Sequence, residues 1–264
     1  MTRYLAALGA TLAAIGLTSQ PARALDSGFD ATLAAYRWEE HVPPYRSPKE
    51  SGPVVLLGGF VSGSPSGTAP ALTLRGDLRA MLGRVNYDTS LISSPTTSVS
   101  THTTYVGLTH EGSVGWRVEG SRASLEPFLG LAYRWWLRYI ESNASVTGYS
   151  EWYYTVYERI GLRWGYRLKE RAGWYGVFSI DPMIWAREEI EDFSGETLRV
   201  RNGTRPGWTL ETGIRGGTAD IGLYWQATRL GRSNLVACPI PPSFRCGQPE
   251  SDQDIIGVRI GTRF

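Results

Sequence analysis

Between residues 71 and 168 long apolar or aromatic residues recur at every second position, and that period separates a strand's two faces where a helix would mix them. In 71–87, Leu72, Leu74, Gly76, Leu78, Ala80 and Leu82 share one parity, against Thr73, Arg75, Asp77 and Arg79 on the other. Residues 102–118 set Val106, Leu108, His110, Val114, Trp116 and Val118 against Tyr105, Thr109, Glu111, Ser113 and Arg117. Residues 126–140 set Leu129, Leu131, Tyr133, Trp135, Leu137 and Tyr139 against Gly130, Ala132, Arg134 and Arg138. Residues 150–168 set Trp152, Tyr154, Val156, Ile160, Leu162, Trp164 and Tyr166 against Tyr153, Tyr157, Arg159, Gly161, Arg163 and Arg167. Glu158 falls on the apolar parity, which predicts a place above the hydrocarbon or beside a bulge. The segment 173–187 is the least regular: Pro182 interrupts it and Pro206 precedes the next strand, each removing a ladder donor near a loop end.

A soluble antiparallel sandwich also alternates, so the chemistry of the faces has to locate the chain. The apolar parity is bracketed by Trp and Tyr, as a surface crossing two lipid–water interfaces requires. The other parity carries arginine with acids, tyrosine and glycine, and only Lys49 and Lys169 among 27 bases are lysine. Guanidinium forks satisfying several acceptors suit a narrow enclosed interior. Arg75, Asp77, Arg79, Glu111, Arg117, Arg134, Arg138, Arg159, Arg163, Glu211, Asp220 and Arg259 are therefore expected to point inward as a paired polar network. A sheet in lipid must also close, because an open edge leaves its peptide groups unsatisfied.

Residues 1–24 read as a secretory signal: Arg3, an apolar run from Leu5 to Leu17, and Ala22-Arg23-Ala24 before a cut. Without Arg3 and Arg23 the remaining chain carries 25 bases against 25 acids, which gives no basic surplus for nucleic acid. Hydrophobic residues at 42% exclude intrinsic disorder. Cys238 and Cys246 lie close together in sequence and, in an oxidising compartment, are expected to form a disulfide that clips one loop.

The chain ends on Ile256, Val258, Ile260, Thr262 and Phe264 on one parity. This resembles the terminal strand of small bacterial outer-membrane β-barrel proteins, whose alternating apolar residues and final aromatic are read by the barrel-assembly machinery. The resemblance extends in pattern over about residues 28–264, but its specific part is this strand. It implies an outer-membrane address, contact with membrane lipid and lipopolysaccharide, and an assembly signal ending at Phe264, without implying an activity.

The fold class expected is all-β: a closed, antiparallel, up-and-down transmembrane barrel over residues 25–264. Eight strands follow from residue 71 on (71–87, 102–118, 126–140, 150–168, 173–187, 197–214, 218–229, 254–264), and 29–40 and 53–62 supply two more. Ten is preferred, with eight the alternative if 29–70 is an extension. An even count puts the short connectors in the periplasm and the longer ones (41–52, 88–101, 141–149, 188–196, 230–253) outside.

A search for chemistry gives no nucleotide-binding, zinc-protease or serine-hydrolase motif. Proteases of the omptin type share ten strands and use acids with a histidine at the extracellular rim. Asp88 and His102 flank one external loop here but match no omptin motif, so no catalytic role is carried over. No cofactor or metal is expected, and a monomer is. The leading functional expectation is a structural or adhesive barrel with exposed loops. A narrow channel or small-ligand transporter is the alternative, and a rim-active enzyme comes third.

Overall fold

The computed structural model describes residues 25–42, 47–65, 70–91, 94–191, 197–237 and 245–264. The expected signal segment and Cys238 lie outside them; Cys246 lies in a two-residue strand opposite Val236. The described chain is all strand: β1 (Asp26–His41), β2 (Lys49–Gly63), β3 (Ala71–Leu91), β4 (Ser94–Glu119), β5 (Ala123–Ile140), β6 (Tyr149–Lys169), β7 (Ala172–Glu191), β8 (Thr197–Arg201), β9 (Gly203–Thr204), β10 (Pro206–Gly216), β11 (Ala219–Gly231), β12 (Val236–Ala237), β13 (Arg245–Cys246) and β14 (Glu250–Arg263). Strands β8, β9 and β10 follow one another along a single wall position, and β12–β13 form a separate ribbon, so ten antiparallel strands close the barrel.

Closure is made by β14, which pairs with both β11 and β1. Leu33 stands opposite Val258, Ala31 opposite Ile260 and Phe29 opposite Thr262. The Phe29 and Phe264 rings meet edge to face at 6.2 Å. The segments 29–40 and 53–62 are thus two full walls, and the count is ten rather than eight.

Outward side chains are aliphatic in the middle, with Leu33, Leu57, Leu78, Leu129, Ile160, Ile180, Leu223 and Val258 all exposed. Aromatic side chains border this band. Trp116, Trp164, Tyr166 and Trp174 lie toward the short turns, whereas Trp135, Trp152, Tyr154 and Trp225 lie toward the long loops. Ten residues separate Tyr154 from Trp164 along β6. At about 3.3 Å per residue and a tilt near 40°, that spans roughly 25 Å, the height of a hydrocarbon-facing band.

Three stretches depart from the sequence reading. The expected loop 88–101 is mostly ladder: Asp88 opposes Ser100 and Thr89 opposes Val99. Its Ser and Thr residues show no apolar parity because nothing oily faces them there, yet the backbone still pairs. The expected strand 197–214 is broken at Asn202 and Arg205. In β7, Met183 opposes Tyr157 and Trp185 opposes Val156, which leaves Ile184 as the extra residue of a bulge. Glu158 adjoins this bulge on the outward face, opposite Leu131, and lies within the apolar band.

Candidate functional site

The lumen has two halves. Toward the long loops it is packed solid around Arg138, which β5 delivers on the same inward parity as Arg134 and Trp136. The Arg138 guanidinium donates from Nε to Glu50 at 2.9 Å and from Nη1 to Glu151 at 2.6 Å; Nη1 is also 2.8 Å from Glu40. Thr103 donates to Glu50 at 2.9 Å, and the Tyr105 hydroxyl donates to its other oxygen. Tyr153 donates to Glu151 at 2.8 Å, and Asn202 donates to Glu188 at 3.1 Å. Arg138, Glu50 and Glu188 are shut off from solvent. Aromatic rings fill the remaining space: Trp136 stacks on Tyr153 at 4.7 Å, Trp38 meets Tyr153 at 5.6 Å and Tyr36 meets Tyr105 at 4.6 Å. One guanidinium thus faces several buried carboxyls, and the hydroxyl and indole donors supply what the missing cations would.

Below this layer Arg134 donates to Thr228 at 3.0 Å and to Gln253 at 2.6 Å, and Gln253 donates to the Tyr36 hydroxyl at 3.0 Å. This belt ties β5 to β11, β14 and β1.

Toward the short turns the lumen opens into a chamber of about 630 Å³ whose lining reaches the turn residues Gly120, Arg122, Glu170 and Gly217. Arg259 anchors it, donating to Glu211 at 2.6 Å, to the Tyr175 hydroxyl at 2.9 Å and to Asp220 at 3.1 Å, with Asp30 at 3.4 Å. Arg159 binds Glu111 and, at 3.1 Å, Asp181; Arg163 and Arg117 share Glu126, each at 2.8 Å. Arg75 forks onto Asp77. Arg79 reaches Asp30 only at 3.8 Å and lies over the Tyr224 ring. Arg215 rests on the Tyr175 ring, and it and Arg122, Arg167, Lys169 and Arg171 hold no ion pair among the described residues.

All twelve residues assigned to the interior from the sequence line this lumen or are buried in it. They do not form one network: Arg138 belongs to the upper layer, Arg134 to the belt and the other ten to the chamber. The interior is not polar along its whole length: the upper half is largely aromatic and aliphatic, including Tyr36, Trp38, Val54, Leu56, Met81 and Val85. Sequence reasoning also missed Asp30, Glu40, Glu50, Glu126, Glu151, Asp181 and Glu188. Parity could have found most of them, since Glu40 continues the inward series Tyr36, Trp38 and Glu126 precedes Phe128 on the same face. Asp88 and His102 sit on the barrel's outer surface: Asp88 accepts from Ser100 at 2.5 Å, and His102 opposes Asn86.

No protein-family model matches this chain, and no curated protein does either. Solved structures do. The chain has the fold of bacterial outer-membrane β-barrel proteins. Outer membrane protease OmpT from Escherichia coli superposes with a TM-score of 0.59 at 10% identity, over 91% of this chain and 96% of that one. A major outer membrane protein from Thermus thermophilus gives a TM-score of 0.45 at 14% identity, over 91% of this chain and all of that one. At 10% identity the likeness to the protease defines the fold alone.

Proposed function

We propose that this chain is exported through residues 1–24 and lodges in the bacterial outer membrane as a non-conducting, non-enzymatic barrel with a structural or adhesive role. The long-loop end faces outward and the chamber faces the periplasm. The observation that carries this reading is the sealed layer around Arg138: Trp38, Trp136, Tyr105 and Ile140 are all without solvent exposure across the lumen. Pure refolded protein in a planar bilayer should give no discrete conductance steps. Steps of uniform size would overturn the sealed reading, and heat-modifiable migration on a gel checks that the sample was folded.

One observation favours a second reading, a small-ligand site. The chamber mouth holds Arg122, Arg167, Lys169, Arg171 and Arg215, which have no ion-pair partner among the described residues, against Glu119 and Glu170 on the same lining. Such a mouth attracts anions from the periplasmic side. Saturable, salt-sensitive quenching of tryptophan fluorescence by pyrophosphate, lost in Arg215→Ala, would support it.

A further inference from the structure

Between the two aromatic borders the outward face of the described residues carries just two acidic or basic side chains, His110 on β4 and Glu158 on β6. Neither has a hydrogen-bond or ion-pair partner among the described residues. A carboxyl facing acyl chains is unfavourable, so an unpartnered one inside the band calls for a contact from outside the barrel.

Their placement says which contact. Along β4, His110 lies six residues from Trp116, and along β6, Glu158 lies six residues from Trp164. Both tryptophans belong to the same aromatic border, so the two groups sit at one depth, about 15 Å above it. In the register, His110 opposes Tyr133, which opposes Val156; Glu158 opposes Leu131, which opposes Gly112. The two are thus separated by the single strand β5 and lie roughly 12 Å apart. Gly112 opposes Gly76, and no atom lies within 4 Å of where a Gly112 side chain would start, leaving a notch beside Leu131.

We propose that two copies of this barrel pair in the membrane through the outward face of β4, β5 and β6, around a two-fold axis over Leu131 and Tyr133. Copies inserted the same way are related by an axis along the membrane normal, which preserves depth and exchanges left for right. That operation brings His110 of each copy to Glu158 of the other, twice, so both imidazole–carboxyl pairs are made at once. This departs from the monomer expected from sequence, and it rests on the membrane reading of the outer face.

The test is cysteine cross-linking of the full chain in outer-membrane vesicles. His110→Cys and Glu158→Cys chains, co-expressed, should form a mixed disulfide dimer on mild oxidation, while neither alone does and the parent chain serves as background. Leu131→Cys, near the axis, should cross-link to itself. His110→Glu should cut the dimer fraction at least tenfold, and adding Glu158→His should restore it. Membrane-inserted, heat-modifiable protein without the mixed band overturns the pairing but leaves the membrane reading standing, and so does cross-linking only to a different protein. Protein absent from membranes overturns both.

Discussion

Arg138 on β5 donates from Nε to Glu50 on β2 at 2.9 Å, and both side chains are shut off from solvent, three strands apart around the barrel. The pair therefore ties two non-adjacent parts of the wall together through the lumen. Replacing Arg138 by Leu would strand Glu40, Glu50 and Glu151 without their cation, at a cost of about 3–5 kcal/mol. Urea unfolding from lipid vesicles should show that loss, and Glu50→Leu added to it should recover part.

Gly161 on β6 lies under the Phe128 ring, which Arg163 covers at 3.8 Å. A Cβ there would come within 2.4 Å of the Phe178 carbonyl oxygen and 2.6 Å of that ring. Gly161→Ala should therefore destabilise the folded barrel by about 1–3 kcal/mol through overpacking. Gly112→Ala, which meets open space, should be close to neutral in the same assay.

At the long-loop end, outside the membrane band, Arg84 forks onto Glu141 with two contacts of 2.8 Å. These hydrogen bonds hold the Glu141 carboxyl at about 2. A depressed carboxyl contributes stability that is present above its ordinary value near 4.5 and is lost as pH falls from there toward 2. Carbon-detected NMR of Glu141 should find its midpoint in that low range, and Arg84→Ala should return it to the usual carboxylate range.

Phe264 packs on Phe29 where the first and last strands meet. Phe264→Ala should leave the refolded barrel's secondary structure unchanged while lowering the yield of membrane-inserted, heat-modifiable protein in cells severalfold. Equal yields would show that the terminal aromatic is not read during assembly.

Strand existence and facing were legible because a barrel in lipid imposes one rule, oily outside and otherwise inside, on every spanning residue. Leu74, Leu78 and Leu82 announce it, and the outward surface follows. Beyond the band the rule lapses: nothing apolar marks Thr89 or Ser98, and pairing there is a backbone matter the pattern does not encode. Pro182 and Pro206 were readable as weak points, but not that they stand directly opposite one another. Neither can donate, so the ladder gives way there, and beyond the bulge at Ile184 β7 pairs with β8 instead of β10. The upper layer was the least legible part. Glu151 is Arg138's ladder neighbour across the β5–β6 hairpin, but Glu40 and Glu50 come from β1 and β2, about 90 residues earlier, and only the folding of the barrel brings them to Arg138.

The seam between β1 and β14 joins residues more than 200 positions apart. Every other neighbour in the wall can zip locally as a hairpin or near-hairpin, but this last union requires that synthesis be finished and both raw margins be presented together. Loop-closure entropy falls on that single step, and until it is taken the nascent sheet offers two unpaired rims to any passing strand. A chain truncated before β14 would keep most of its local pairings and still be a hazard to its neighbours.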